Sequence, residues 1–270
     1  MPELPEVQTV LNTLELRIKD AEITDINILY SNIIVGDVKV FKKKLIGQHF
    51  RAFKRRGKYL LFEMDDITLV SHLRMEGKYY IQKPDEPTNK HTHVIFCLDN
   101  GYELRYNDVR KFGRMELIQK QTDYRIFKDL GPEPFSKEFN ENYILGYLKN
   151  NKKPIKEVLL NQSFVAGIGN IYADEICSSI GLMPDTPAYK IDITDAKKIV
   201  ENTRKILKAA IKAGGTTIRS YTSSLGVTGR FQLKLKVHTL SNCPKCGSDI
   251  IKIRIGGRGT YYCPKCQKSK

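Results

Sequence analysis

Residues 154–181 read PIKEVLLNQSFVAGIGNIYADEICSSIG, and the parsing of this stretch decides what the second half of the chain is. Two helical pieces flank SFVAGIGN. In the second, Ala173, Ile176, Cys177 and Ile180 recur at i, i+3, i+4 and i+7, the stripe that a helix buries. Asn170 is placed to cap that helix and Gly181 to end it. Gly167 and Gly169 permit close backbone approach. Unpaired N–H groups, the helix dipole and the Asn170 amide then converge on one spot suited to a phosphate. Lys152, Lys153 and Lys156 lie just upstream. A G-x-G between helices is also what any tight turn needs, so the stretch alone leaves a purely structural turn open.

Downstream, DAKKIVENTRKILKAAIKAGG continues the helical period, with Ile199, Val200, Thr203, Ile206, Leu207, Ala210 and Ile211 on one side and Gly214–Gly215 as the stop. The last forty residues hold nine Lys or Arg against one acid, Asp249. Within them Cys243, Cys246, Cys263 and Cys266 form C-x2-C-x16-C-x2-C, the spacing of a four-thiolate zinc site closed to catalysis. Between the knuckles, IKIRIGGRGTYY predicts a hairpin with Arg258 at its tip, which is either a solvated turn charge or a phosphate contact. Zinc ribbons also occur in proteins without enzymatic activity, so the metal alone does not decide function. Cys97 and Cys177 fall in apolar patterns and are read as core thiols.

Upstream, LGPEPFSKEF opens a linker assigned to 131–149. Residues 22–120 carry short β-branched and aromatic runs, with LDNGYEL as a hairpin. Before them, Val7, Val10, Leu11, Leu14 and Ile18 predict an amphipathic helix with Pro5 in its first turn, so the terminus is anchored. The architecture expected is α+β and multidomain: an N-terminal helix plus two-layer β-sandwich (1–130), the linker, a helical domain (150–230) and a β-hairpin zinc finger (231–270).

The 270 residues carry 45 Lys and Arg against 30 Asp and Glu, a net charge of +15 that points to a polyanionic partner, most economically nucleic acid. No apolar run approaches the roughly 18 residues a bilayer crossing needs. The first twenty residues lack a secretory pattern. The chain is therefore read as cytoplasmic, with no membrane partner and as a monomer.

PELPEV at the terminus, RRGKYL, HLRMEG, NDVRKFG, LGPEP, GIGNIYADE and the four-cysteine finger stand in this order along the whole chain. Together they closely resemble the bacterial formamidopyrimidine-DNA glycosylase family. That resemblance implies a β-sandwich, a helix-two-turn-helix domain and a zinc finger holding one structural Zn2+. It implies excision of oxidised purines such as 8-oxoguanine and formamidopyrimidines from double-stranded DNA, followed by AP-lyase cleavage at the abasic site by β/δ elimination. It assigns Pro2, freed of Met1, as the nucleophile, Glu3 as general acid/base, Lys58 as proton donor for β elimination and Arg258 to the δ step. Glu6 matches the family but reads as structural.

A base buried in the stack must be extruded before such chemistry. The resemblance makes Met75, Arg110 and Phe112 the side chains that fill the gap, with Arg110 against the orphaned base; Met75 by itself would more often be a core residue. It places His91, Lys152, Lys153, Lys156 and Asn170 on DNA phosphates. GGTTIRSYTSSLGVTG (214–229) is similar to the family's loop over the flipped base, although Ser220, Leu225 and VHTLSN depart from the commonest pattern. The related endonuclease VIII branch usually begins PEGPE, so Leu4 argues against it. A protein that only binds bent or damaged DNA through its zinc ribbon is the rival of another class.

Overall fold

The computed structural model of the chain describes residues 1–119, 125–216 and 229–270. The chain forms two compact units: Met1–Lys128 with Ala213–Arg230, and Asp129–Lys212 with Phe231–Lys270.

In the first unit, helix α1 (Leu4–Ile18) buries the predicted stripe completely, with Val7, Val10, Leu11, Leu14 and Ile18 all at or below 1% exposure. At about 1.5–3 kcal/mol per buried aliphatic side chain, that contact outweighs the fraying expected of a terminus. Eight strands follow, interrupted by helix α2 (Val38–Leu45). β1 (Ile23–Ile28), β6 (Thr92–Leu98), β7 (Glu103–Asn107) and β5 (Lys78–Gln82) form one antiparallel sheet in that order. β2 (Ala52–Arg56), β3 (Tyr59–Glu63), β4 (Ile67–His72) and β8 (Arg114–Gln119) form the other. One core joins both sheets and α1, so the sandwich is as expected. Its spine is a ladder of edge-to-face rings, Phe53–Phe62–Tyr79–Tyr106, with centroids 5.6, 5.7 and 5.1 Å apart. The hairpin through Asn100 and Gly101 joins β6 to β7 as read from LDNGYEL.

In the second unit, α3 (Glu141–Leu148), α4 (Ile155–Leu160), α5 (Asn170–Ser179) and α6 (Ile193–Lys212) surround a helical core, and β9 (Ile251–Ile255) pairs with β10 (Arg258–Tyr262). Two sequence readings need correction here. The stretch 131–149 is not a bare linker: Asn140 caps α3 through the Tyr143 N–H at 3.0 Å, and Ile144 and Leu148 are buried. Its first half is held by Arg204 of α6, which donates to the carbonyls of Pro134, Ser136 and Phe139. Eight residues with a central Gly146 give too short a period to stand out beside two prolines. Likewise Asn170 is the first residue of α5, with Gly169 in the cap position; Gly181, at φ +71°, does follow the helix end. Cys177 is fully buried, as read, and burial pushes its thiol up; Cys97 is only half-buried.

Candidate catalytic terminus and nucleic-acid interface

Glu3 caps α1 with the reciprocal geometry of a capping box. Its side chain accepts from the Glu6 backbone N–H, while Glu6 Oε2 accepts from Glu3 N at 2.9 Å. Both carboxylates are 3% exposed. The other Glu6 oxygen accepts from Thr216 N at 2.8 Å and Thr216 Oγ1 at 3.0 Å. Glu6 is thus the structural brace that the sequence suggested, fixing the N-terminus to the segment that follows α6. Gly215 makes this approach possible: its φ is +79°, and a Cβ there would lie 2.8 Å from Glu6 Oε1.

Met1 is 45% exposed, whereas residues 2–7 are all buried. Burial holds the terminal amine below its ordinary value; Glu3 and Glu6 pull it back up, Lys58 pushes it down and Glu76 opposes Lys58. One locus therefore gathers the terminus, Glu3, Glu6, Lys58 and Glu76. Lys58 arrives there on the two-residue turn between β2 and β3, whose first residue, Gly57, has φ +55°. Lys58 itself is 6% exposed. His72, at the end of β4, stacks edge-on against Tyr59 at 4.6 Å and accepts from Arg74 N through Nδ1 at 2.9 Å. Burial first, then Arg74 and Lys58, brings its imidazole down to about 3. His72 and Glu76 carry no motif signal of their own in HLRMEG, and His72 falls on the face of β4 shared with Val70, opposite to that of Leu69, which joins the core.

Met75 sits at the tip of the β4–β5 turn, beside Arg74 at φ +51°, and is half-buried rather than core. Arg110 and Phe112 are exposed on the β7–β8 connection, the guanidinium 4.7 Å from the ring centroid. His91 is half-buried on the β5–β6 connection, and its carbonyl accepts from Asp108 N at 2.9 Å.

In the second unit, Lys152 and Lys153 are exposed, but Lys156 is not. Its expected phosphate contact is overturned: the side chain is fully buried, 2.7 Å from Asp174 Oδ1, and donates to the Gly259 carbonyl at 3.0 Å and Thr260 Oγ1 at 2.7 Å. Lys156 lies one α4 position past Ile155, and helix geometry turns it toward the hairpin. Asp174 also meets His238 Nδ1 at 2.7 Å, and the Asn170 amide donates to the Gly259 carbonyl at 2.9 Å. Glu175 accepts from the backbone N–H groups of Lys236, Val237 and His238. These polar partners, absent from the sequence reading, pin the hairpin and its approach to α5. Arg258 stands exposed at the hairpin tip after Gly256 and Gly257, both at positive φ.

The four cysteine sulfurs lie within 4.8 Å of one another. Cys243–Cys266 and Cys246–Cys263 are 3.9 and 3.5 Å apart. A tetrahedral zinc with Zn–S near 2.3 Å requires sulfurs about 3.8 Å apart, so the donor set fits the ion. All four donors are cysteine sulfurs with no position left for water or substrate, which makes this one structural Zn2+ site. The 217–228 part of the loop expected over the flipped base lies outside the described residues. Among the described residues, no helix is long and apolar enough to cross a membrane.

A β-sandwich with its amino terminus built into a buried carboxylate–lysine locus, together with a helix-two-turn-helix unit and a four-cysteine finger, defines the class of zinc-finger DNA glycosylases. Family models match in the same order: the formamidopyrimidine-DNA glycosylase N-terminal domain over 1–115, its H2TH domain over 130–222, and the zinc finger found in FPG and IleRS over 242–268. A formamidopyrimidine-DNA glycosylase of Oceanobacillus iheyensis is 47% identical over all of this chain and 99% of its own; one from Bacillus licheniformis is 45% identical over 99% and 100%. Among solved structures, a Lactococcus lactis FPG mutant bound to Fapy-dG DNA superposes with a TM-score of 0.93 at 41% identity, covering 99% of this chain and 100% of that one. The chain belongs to the formamidopyrimidine-DNA glycosylase family.

Proposed function

We propose that this chain is a base-excision enzyme of the cytoplasm that, as a monomer, removes oxidised purines from duplex DNA and then cuts the strand as an AP lyase. The observation that carries the reading is the locus at the amino terminus, where Pro2 is buried one residue inside exposed Met1 and the buried side chains of Glu3, Glu6 and Lys58 act on the terminal amine. A nucleophilic amine must be neutral, and burial favours that form. Lactococcus lactis relatives seen with Fapy-dG DNA and with abasic-site DNA support the substrate.

Removal of exposed Met1 leaves Pro2 as a secondary amine. Its nitrogen attacks the sugar C1′, the C1′–N bond breaks, and the damaged base leaves with the bonding pair and a proton. Glu3 then protonates O4′ as the sugar ring opens, giving an iminium between Pro2 and C1′. That iminium has no N–H to lose, so it draws electrons from the C2′–H bond, and the 3′ phosphate is expelled. Lys58 supplies the proton handling of this elimination, and Arg258 assists loss of the 5′ phosphate. Met75 and Phe112 fill the vacated stack, Arg110 faces the orphaned base, and His91, Lys152, Lys153 and Asn170 hold phosphates. Bound zinc supplies a fold-closing cross-link and takes no part in these steps.

Borohydride reduction tests the reading. The mature protein should become covalently joined to abasic-site DNA, with intact mass showing loss of Met1, and Pro2→Gly should abolish the adduct. Wild-type protein that never traps, or an active form that retains Met1, would sink it. Excision of 8-oxoguanine opposite cytosine in preference to thymine glycol is the expected lesion preference.

A further inference from the structure

Three separate connections carry the first unit's proposed DNA contacts: 73–77 with Met75, the approach to β6 with His91, and 108–113 with Arg110 and Phe112. All three converge on one buried pair, Tyr106 and Asp108, which are 0% and 1% exposed. Asp108 Oδ1 accepts from Arg110 N at 3.0 Å, and Oδ2 accepts from Gly113 N at 2.8 Å and from the Tyr106 hydroxyl at 3.4 Å. The Asp108 backbone N–H donates to the His91 carbonyl at 2.9 Å, and its carbonyl lies 2.7 Å from His93 Nε2. Between these anchors Lys111 is held at φ +58°, a conformation that costs a non-glycine residue on the order of 1–3 kcal/mol and persists only where the surroundings impose it.

The Tyr106 hydroxyl also sets the spacing of two loops. A Cβ at Gly113 would lie 1.6 Å from that oxygen, and one at Gly77 would lie 2.3 Å from it. Both backbones therefore rest on one hydroxyl. Burial, reinforced by Asp108, pushes the phenol well above its ordinary value, so it stays protonated and donates. Tyr79, the cross-strand partner of Tyr106, packs edge-on against its ring at 5.1 Å.

We propose that Asp108, with Tyr106, is the positioning residue that places the Met75, His91 and Arg110–Phe112 segments in a single geometry for entering the duplex. Neither side chain touches DNA. The inference rests on the proposed function, because it needs those three segments to act together on a stacked lesion. Displacing such groups by about 1 Å costs up to roughly a hundredfold in rate. An already unstacked substrate bypasses the requirement.

Asp108→Asn and Tyr106→Phe test this. Asparagine keeps the shape of the aspartate but can accept from only one of the Arg110 and Gly113 N–H groups; phenylalanine keeps the ring and removes only the hydroxyl. Each variant is expected to excise 8-oxoguanine from duplex at least about tenfold more slowly under single-turnover conditions. Each should also lose most of the fluorescence rise of a 2-aminopurine placed opposite the lesion. Borohydride trapping on single-stranded abasic DNA should stay within about twofold of wild type. Duplex excision and fluorescence unchanged in both variants overturns the inference, and so does a parallel fall in single-stranded trapping, which would mark a general packing role. Wild-type protein that fails to trap overturns the proposed function instead, and this inference with it.

Discussion

His72 shows what burial at the end of a strand does to a titratable ring. Its folded pKa lies near 3, below the ordinary 6.5, because burial and the charges of Arg74 and Lys58 all oppose protonation. As pH falls below 6.5 the unfolded chain takes up a proton that the folded site refuses, so this residue withdraws stability progressively down to about pH 3. Replacing it with Gln should flatten the fall in melting temperature between pH 7.5 and 5. Melting curves that stay parallel to wild type would exclude His72 as the source. The reacting group itself is the ring nitrogen that removal of Met1 frees at buried Pro2; burial disfavours its protonated form, so trapping by the mature enzyme should rise with pH along an acid limb. At this scale the sequence exposed the groups that belong to motifs, such as Pro2, Glu3, Lys58 and the cysteines. It hid those whose importance comes from what surrounds them, as with His72, Asp108 and Asp174, because burial is not a property of any single letter.

Elements decide which way a side chain faces, and Lys156 is where that mattered. From spacing alone it joins Lys152 and Lys153 as a basic run; α4 instead turns it inward onto Asp174 and the hairpin. Lys156→Met should therefore destabilise the protein by about 3–5 kcal/mol, because it strands a buried carboxylate. It should leave the slope of log affinity against log salt unchanged. Lys152→Ala and Lys153→Ala should do the reverse, each lowering the slope by about one at little cost in stability. Denaturation and salt-titrated binding measured on the same three variants check both halves; a shallower slope for Lys156→Met would restore it to the surface. The amphipathic period of α1 and α6 was plain in the sequence because long helices repeat it several times. α3 does not stand out, because its eight residues span only about two turns.

Across the whole molecule, the net charge of +15 and the zinc ribbon act together. Four thiolates on one ion supply folding free energy that the small hairpin could not gain from its core of Val237 and a few half-buried neighbours. Stripping the metal with a chelator should expose residues 243–268 to hydrogen exchange. The loss should spread to Met183, whose amide donates to the Lys268 carbonyl at 2.9 Å. Sandwich amides should remain protected, and affinity for duplex DNA should fall. Protection retained at Met183 after zinc loss would show that the finger does not hold it. The order of parts along the chain was legible, but their topology was not, since Ala213–Arg230 returns to the first unit before the finger begins. That return shapes how the protein can be recombined with its relatives. A chimera cut once after residue 128 would separate Thr216 from the glutamate it clasps, whereas exchanging 129–212 and 231–270 together, and leaving the intervening segment with its own sandwich, would transplant the DNA-gripping half as a cassette.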